Sequence, residues 1–119
     1  IDLIKNKYND QLKVVVAPGP SEIDDAKNIN AVSVLNQNKA LDISQLASLI
    51  KDSSFVVAND TGPAHISAHL GVKGLALFGK HTTAYKVSIE RENFKVIQVT
   101  DLEKLSANNV FEKIVNILN

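Results

Sequence analysis

The chain has 119 residues, which suffices for one domain with a hydrophobic core but is short for two. Its 13 Lys and Arg residues balance its 13 Asp and Glu residues, and this neutral charge argues against a nucleic-acid-binding surface or a strongly basic membrane patch. The absence of cysteine excludes disulfides and Cys-ligated metal, and no apolar run approaches the roughly 20 residues of a membrane span.

The first part of the chain alternates apolar runs with polar turns. Residues 1–10 carry apolar side chains at helical spacing and predict a helix. Residues 12–17 are β-branched and apolar and predict a buried strand, and residues 31–35 predict a second strand. Between these strands, Ser21 can cap a helix that runs over residues 22–29.

A further helix is predicted after the polar, loop-like residues 36–41. Either Asp42 or Ser44 can cap this helix, and residues 51–54 end it. Its apolar side chains repeat at helical spacing and are Ile43, Leu46, Ala47, Leu49 and Ile50. Such a helix buries one face and leaves the other in water.

The middle of the chain reads as a strand, a polar turn and a helix. Residues 55–58 form an apolar run typical of a parallel strand that is covered on both faces. Residues 59–62 (Asn-Asp-Thr-Gly) combine turn and capping chemistry. Pro63 suits the first turn of a helix, which residues 64–70 continue and Gly71 can close.

The last part of the chain predicts two more strands and a helix. Residues 73–78 form a buried strand, followed by a polar loop at residues 79–83. Residues 94–99 predict the last strand, and residues 105–118 predict a helix with one apolar face. Strands alternating with helices imply βαβ units and a parallel sheet. We therefore expect an α/β fold, a three-layer Rossmann-like domain with a parallel sheet of about five strands.

The start of the helix at Pro63 is a candidate anion site. The N–H groups of a first helical turn are unpaired, and the helix dipole favours negative charge there. Gly62 leaves room for a phosphate, Thr61 offers a hydroxyl and an N–H, and His65 lies within about one turn. The alternative is that Asp60 or Thr61 only caps the helix and that His65 is a surface residue.

Three stretches, in this order, resemble one protein family. Residues 60–65 (Asp-Thr-Gly-Pro-Ala-His) resemble the D-[ST]-G-x-x-H signature of glycosyltransferase family 9, the ADP-heptose:lipopolysaccharide heptosyltransferases. Residues 77–82 (Leu-Phe-Gly-Lys-His-Thr) resemble the L-F-G-x-T-like loop that follows one strand later, with Lys80 and His81 where the family often has Pro before Thr. Residues 17–22 (Ala-Pro-Gly-Pro-Ser-Glu) resemble the G-x-x-x-E loop after an earlier strand.

The resemblance implies a GT-B fold, in which two Rossmann-like domains enclose a cleft. Residues 1–119 would form a single domain, the C-terminal half that binds the nucleotide-sugar donor. The N-terminal domain, which holds the acceptor and the general base, would be absent. The chain also begins with Ile and contains no Met, so we expect it to be a fragment of a longer protein. We expect this fragment to contain no catalytic residue and to have no activity by itself.

The implied ligand is an ADP-heptose-like nucleotide sugar, bound as a substrate without a metal or another cofactor. The residues that the resemblance places around this donor are Asp60, Thr61, Gly62, Pro63, His65, Glu22, Gly79, Lys80, His81 and Thr82. Glu22 would contact the ribose or a nearby sugar, and His65 would donate a hydrogen bond to the diphosphate. N–H groups, a hydroxyl and an imidazole can stabilise the charge on a departing diphosphate without a metal.

The resemblance also implies partners and a location. The full protein would transfer sugar to a lipid-linked or glycan acceptor in bacterial lipopolysaccharide core or related cell-envelope synthesis. It would be cytoplasmic, at the inner face of the inner membrane, with peripheral membrane association at most. We expect no nucleic-acid partner and no membrane span.

Simpler interpretations stand beside these roles. Glu22 can be an acidic residue of a first helical turn, and Lys80 and His81 can be solvated loop residues. His65 and His69 share a helix face, but a metal site at this spacing needs a third ligand and usually an intervening Glu, so none is expected. The chain can also be a non-catalytic nucleotide- or phosphate-binding module, or an α/β interaction domain whose turns are structural.

Overall fold

The structure is a computed structural model that describes residues 1–59, 61–79 and 90–118. The chain folds as two compact units, Ile1–Leu46 and Ala47–Asn119. Within the described residues, each unit contains parallel strands and helices. This confirms the predicted α/β class and the parallel pairing of its strands.

The first unit is built from short elements. They are helix α1 (Asp2–Tyr8), a 3-10 helix (Asn9–Gln11), strand β1 (Val15–Val16), helix α2 (Ile23–Ala26), strand β2 (Val32–Ser33) and the start of helix α3 (Ile43–Lys51). β1 and β2 pair in parallel, with Val15 opposite Val32. Both strands are shorter than predicted. The chain turns soon after β1 at Pro18, because proline has no N–H with which to extend a strand ladder.

Helix α2 covers only four residues of the predicted helix at 22–29. Beyond it, the N–H groups of Lys27, Asn28 and Ile29 donate to carbonyls three residues earlier, at 3.1–3.2 Å. Bonds of this kind form tighter turns than an α-helix, which explains the early end of α2. The prediction that Ser21 caps this helix is wrong, because Glu22 is the N-cap residue and no side chain caps it.

The segment before α3 is more ordered than the loop predicted at 36–41. It contains a tight hairpin turn in which Gln37 and Asn38 have positive φ angles of 52° and 64°. Helix α3 then begins with a reciprocal pair of hydrogen bonds. Asp42 Oδ1 accepts from the Gln45 N–H at 2.8 Å, and Gln45 Oε1 accepts from the Asp42 N–H at 3.0 Å. This capping box selects Asp42 from the two predicted caps.

The second unit holds a three-stranded parallel sheet. Its elements are the end of α3, strand β3 (Val56–Asn59), helix α4 (Gly62–His69), strand β4 (Gly74–Phe78), strand β5 (Phe94–Gln98), a second 3-10 helix (Leu102–Lys104) and helix α5 (Ala107–Leu118). The strands are ordered β3-β4-β5. Among the described residues, the predicted strands thus form two sheets, of two and three strands, and a single five-stranded sheet is not confirmed.

Helix α4 packs its small side chains onto one face of this sheet. Ala64 and Ala68 are buried and belong to one core cluster with Phe78 of β4 and Phe94 of β5. Residues four apart lie on the same side of a helix, so the two alanines form a flat surface that lets α4 approach the strands closely. This packing places the start of α4 beside the carboxyl end of β3.

The prediction that β3 is covered on both faces is wrong. Val57 is 47% exposed, and the burial of β3 alternates between partly buried and exposed residues. β3 lies at the edge of its sheet, whereas Leu75 in the central strand β4 is fully buried. Helix α5 contacts β4 as well. The buried residues Ile114 of α5 and Leu75 of β4 both lie outside the core cluster beneath α4. We therefore place α5 on the opposite face of the sheet from α4.

Gly71 closes α4 as predicted. Its φ angle of 73° is in the left-handed region, where a residue with a Cβ is strained. The Gly71 N–H donates to the Ala68 carbonyl and the Val72 N–H donates to the Ser67 carbonyl, both at 3.2 Å. These two bonds form a Schellman motif and satisfy carbonyls at the end of the helix.

Gly74 generates a prediction about stability. A Cβ added at Gly74 would lie 2.4 Å from Cε2 of Phe94 and 2.7 Å from the carbonyl oxygen of Val56. We expect Gly74→Ala to lower the free energy of unfolding by about 1–3 kcal/mol, as overpacking of a core does. Gly62→Ala is the control, because a Cβ there meets nothing within 4 Å. Urea unfolding that shows equal stability for the two variants would contradict the prediction.

Candidate functional site

The carboxyl ends of the three parallel strands in the second unit lie at one edge of the sheet. β3 ends at Asn59, β4 runs into Gly79, and β5 ends at Gln98. In open α/β sheets, ligands bind at this edge. The predicted residues Thr61, Gly62, Pro63, His65 and Gly79 all lie on segments that leave this edge or begin there.

Thr61 is the N-cap residue of α4 in an extended conformation, with φ −145° and ψ 177°. Its side chain makes no capping bond to the helix. The hydroxyl instead donates to the Asn59 carbonyl at 3.3 Å, which is long for a hydroxyl donor. Thr61 therefore occupies the N-cap position, as the structural alternative predicted, but its hydroxyl does not cap the helix. A stronger acceptor can replace the long bond to Asn59 at small cost.

The backbone N–H groups of the first turn are only partly open. The prediction that all of them are unpaired is wrong, because Ala64 and His65 donate to the Thr61 carbonyl at 3.1 and 3.4 Å. Pro63 has no N–H. The N–H groups of Thr61 and Gly62 have no acceptor among the described residues, and both residues are exposed. Two N–H groups at the positive end of the helix dipole therefore remain for an anion.

Gly62 borders open space at the helix start. A Cβ built on it has no neighbouring atom within 4 Å. Its backbone is helical, and the positive-φ glycine in the described part of the chain is Gly71. The backbone conformation at Gly62 therefore does not itself require glycine. A side chain at this position would fill the space beside the free N–H groups without straining the backbone.

His65 is half-buried on the first turn of α4. Side chains of a helix tilt toward its N-terminus, so the imidazole leans toward the end that carries Thr61 and Gly62. The imidazole has no hydrogen-bond partner in the part of the chain that the structure describes. His69 lies one turn farther from the helix start and is exposed. Of the two histidines, His65 is placed to contact a ligand at the turn.

Pro63 connects the turn to the core. It occupies the first turn of α4, and its carbonyl accepts a hydrogen bond of 2.7 Å from the hydroxyl of Ser67. Ser67 is fully buried, so this bond satisfies a hydroxyl that has no access to water. The exposed residues Thr61 and Gly62 are therefore attached to a rigid, well-packed helix.

Gly79 is half-buried directly after β4, and its neighbour is a residue that the sequence did not point to. A Cβ on Gly79 would lie 3.7 Å from Cδ1 and 3.8 Å from Cγ of Leu102, so Leu102 lies near the glycine with room for about one methyl group between them. Asp101 is the residue in the sequence that could have indicated a helical turn here, because Asp is a typical capping residue. Its Oδ1 accepts a hydrogen bond from the Glu103 N–H at 3.0 Å and caps the second 3-10 helix.

Glu22 lies in the first unit, beyond β1, as the N-cap residue of α2. Its N–H donates to the Gly19 carbonyl at 3.0 Å. Its Oε1 would be 2.7 Å from a Cβ placed on Gly19, so the carboxylate folds over a glycine that leaves room for it. Glu22 is exposed. A ligand can reach this carboxylate, and its role as a ribose contact stays a prediction.

The remaining predicted site residues, Asp60, Lys80, His81 and Thr82, lie outside the described residues. Their roles stay predictions.

A separate groove of about 860 Å³ lies in the first unit, and none of the predicted site residues lines it. Its lining residues are Lys5, Asn9, Leu12, Lys13, Val14, Ile29, Asn30, Ala31 and Val32. Within 1–59, 61–79 and 90–118, no three His, Asp or Glu side chains come together as metal ligands. None of the described helices has the length and apolar character needed to cross a bilayer.

Residues 2–114 match the model of glycosyltransferase family 9 (heptosyltransferase). The chain belongs to glycosyltransferase family 9. The match confirms the resemblance drawn from the three short motifs, and it covers both units of the fold. No curated protein and no solved structure matches the chain.

Membership of family 9 gives the turn at α4 a chemical context. Glycosyltransferases move a sugar from a donor to an acceptor, and a diphosphate leaving group would develop negative charge as the sugar departs. The turn offers the N–H groups of Thr61 and Gly62, the Thr61 hydroxyl and the His65 imidazole. Hydrogen-bond donors that are already fixed in place stabilise developing charge well, because they do not have to move during the reaction.

Proposed function

We propose that this family 9 chain binds the nucleotide-sugar donor, and that the donor diphosphate lies against the turn from β3 into α4. The observation that carries the proposal is the pair of N–H groups of the exposed residues Thr61 and Gly62, which have no acceptor among the described residues and lie at a helix start where a Cβ on Gly62 would meet open space. A helix N-terminus at the carboxyl edge of a parallel sheet is a general phosphate-binding arrangement.

In the proposal, each donor group of the turn contacts a different part of the diphosphate. The N–H groups of Thr61 and Gly62 donate to one phosphate, and the Thr61 hydroxyl exchanges its 3.3 Å bond to Asn59 for a phosphate oxygen. His65 donates a hydrogen bond to the diphosphate from the neighbouring turn of the helix. Together these donors balance the charge of the leaving group without a metal.

The donor that the proposal favours is ADP-heptose or a close relative, because the matching family carries the description heptosyltransferase. The corresponding acceptor is a lipid-linked or glycan precursor of the bacterial cell envelope, such as the lipopolysaccharide core. The proposal places this reaction at the cytoplasmic face of the inner membrane, and it assigns the acceptor and the general base to residues outside this chain.

Titration of the isotope-labelled chain with ADP tests the proposed site directly. We expect the backbone amides of Thr61, Gly62, Ala64 and His65 to show the largest chemical-shift changes, since the proposal places these residues around the diphosphate. Calorimetry on the same sample gives the affinity. Shift changes centred on the groove of the first unit, or no binding at all, would overturn the proposal.

Gly62→Val is expected to weaken ADP binding at least tenfold, about 1.4 kcal/mol. The branched side chain fills the open space that the phosphate needs, while the helical backbone tolerates it. Gly62→Ala adds a smaller group and should have a smaller effect. Thermal unfolding is the control, and both variants should unfold near the wild-type temperature. An unchanged affinity in folded Gly62→Val would place the ligand elsewhere.

His65→Ala is expected to weaken ADP binding by roughly tenfold, in the range of a hydrogen bond to a charged group. His69→Ala is the matched control, because it removes the same side chain one turn away and on an exposed position. His65→Gln keeps an N–H donor and should recover part of the affinity. If the two alanine variants bind ADP equally well, His65 does not contact the diphosphate.

Glu22→Gln is expected to weaken ADP binding by about tenfold and to leave pyrophosphate binding unchanged, because the proposed partner of the carboxylate is the ribose. Asp25→Asn is the control, since it neutralises a neighbouring exposed acid of α2. The same loss for both ligands, or for both variants, would contradict a ribose contact at Glu22.

A further inference from the structure

We propose that the groove of the first unit binds a single-chain lipid with an anionic headgroup. Two kinds of side chain share this groove, apolar side chains and lysine ammonium groups. The groove is independent of the proposed donor site, because its lining residues belong to the first unit and include none of the predicted site residues.

The groove lies at the amino ends of β1 and β2. Residues 12–14 lead into β1, and residues 29–32 lead into β2 and include its first residue. Parallel strands begin at the same edge of their sheet, so these two stretches lie side by side. Glu22, by contrast, follows the carboxyl end of β1. The groove and the proposed ribose contact are therefore at opposite ends of the two-stranded sheet.

Helix α1 contributes Lys5 to the groove, and two hydrogen bonds hold this helix against the segment before β2. The Lys5 ammonium donates to the Asn30 carbonyl, and the Asn30 side-chain amide donates to Asp2 Oδ1 at 3.1 Å. Asn9 has a positive φ of 50° and turns the chain from α1 toward residues 12–14. The walls of the groove are therefore in place before a ligand arrives, as in most small-molecule sites.

Much of the groove lining is apolar. The apolar lining residues are Leu12, Val14, Ile29, Ala31 and Val32. Ile29 is 41% exposed and Val32 is 61% exposed. Single exposed apolar side chains are ordinary, but these two share one groove with three half-buried apolar neighbours. An alkyl chain in the groove would remove this apolar surface from water.

Lys5 and Lys13 bring positive charge to the same groove. Its described lining residues include no acidic side chain, and within residues 1–59, 61–79 and 90–118 neither lysine forms an ion pair with a carboxylate. An ammonium group has three N–H donors, so Lys5 keeps donors beyond the one that it gives to Asn30. Unpaired positive charge beside apolar side chains is complementary to an anionic headgroup on an alkyl chain.

Titration of the isotope-labelled chain with dodecyl phosphate, kept below its micelle concentration, tests the inference. We expect saturable chemical-shift changes at the backbone amides of residues 12–14 and 29–32. Dodecyl maltoside has the same alkyl chain without the charge, and inorganic phosphate has the charge without the chain. Each of these two ligands should bind at least about tenfold more weakly than dodecyl phosphate.

Lys13→Gln is expected to weaken dodecyl phosphate binding by about fivefold, because it removes one exposed charge from the groove. Lys27→Gln is the matched control. Lys27 is an exposed lysine of the same unit that lies outside the groove lining and pairs with Asp24 at 3.2 Å. The control variant should bind dodecyl phosphate as wild type does, and equal affinities for the two variants would contradict a headgroup contact at Lys13.

Val32→Thr is expected to weaken dodecyl phosphate binding by about threefold, because it keeps the branched shape and replaces a methyl group by a hydroxyl in the apolar lining. Val57→Thr makes the same change at an exposed valine of β3 in the second unit and should leave the affinity unchanged. Equal affinities for these two variants would remove the alkyl-chain contact at Val32.

The three ligands also separate other uses of the groove. Equal binding of dodecyl maltoside and dodecyl phosphate would overturn the inference, because the lysines would then contribute nothing. Equal binding of inorganic phosphate would overturn it as well, since the apolar lining would be unused. A peptide of alternating Leu and Glu that bound more tightly than dodecyl phosphate would make the groove a peptide site instead.

Absence of shift changes at residues 12–14 and 29–32 with dodecyl phosphate would also overturn the inference. This outcome is distinct from a failure of the proposed function. ADP has no alkyl chain and is expected to move the amides at the start of α4, so either result can be obtained without the other.

Discussion

The ring of Phe94 fits against Gly74 on the neighbouring strand, and the arrangement of the second unit depends on this contact. Gly74 lies opposite Phe94 on one side and opposite Val56 on the other, so one residue joins all three strands in register. No larger residue can occupy its position without moving the ring or the carbonyl of Val56. Because this contact fixes the register, the carboxyl ends of strands β3, β4 and β5 lie at one common edge.

Helix α4, between β3 and β4, begins at this sheet edge and forms the candidate binding surface there. Ala64 and Ala68 allow α4 to pack closely on the strands, and the bond from Ser67 to Pro63 joins the helix start to its buried face. The first turn is consequently rigid on its inner side. Thr61 and Gly62 are exposed, and their N–H groups have no acceptor within residues 1–59, 61–79 and 90–118. A binding site whose donors are placed in advance of the ligand requires such groups.

The same edge shows how family 9 membership and geometry support each other. The family assignment comes from a match over residues 2–114 and does not depend on any single side chain. The geometry identifies which groups at the turn are open, and it reduces the N–H donors of the first turn to two. Chemistry and position therefore support one proposed location for the diphosphate.

The sequence by itself determined the features that local rules control. Alternating apolar runs and turns predicted the α/β class and the parallel strands, Gly71 predicted the end of α4, and Pro63 predicted its beginning. These features depend on backbone preferences of residues that are close in the chain, such as the left-handed conformation that glycine accepts. The short motif at residues 60–65 was likewise readable, since it is a continuous stretch.

Only the tertiary structure decided the features that depend on neighbours distant in the chain. Val57 looked buried, but it is exposed because β3 is an edge strand, and strand order is not written in a local pattern. The extent of β1 depends on how far β2 pairs with it. Leu102 lies near Gly79 because two parallel strands end side by side. Local preference determines which element a segment forms, whereas exposure and contact follow from packing between segments.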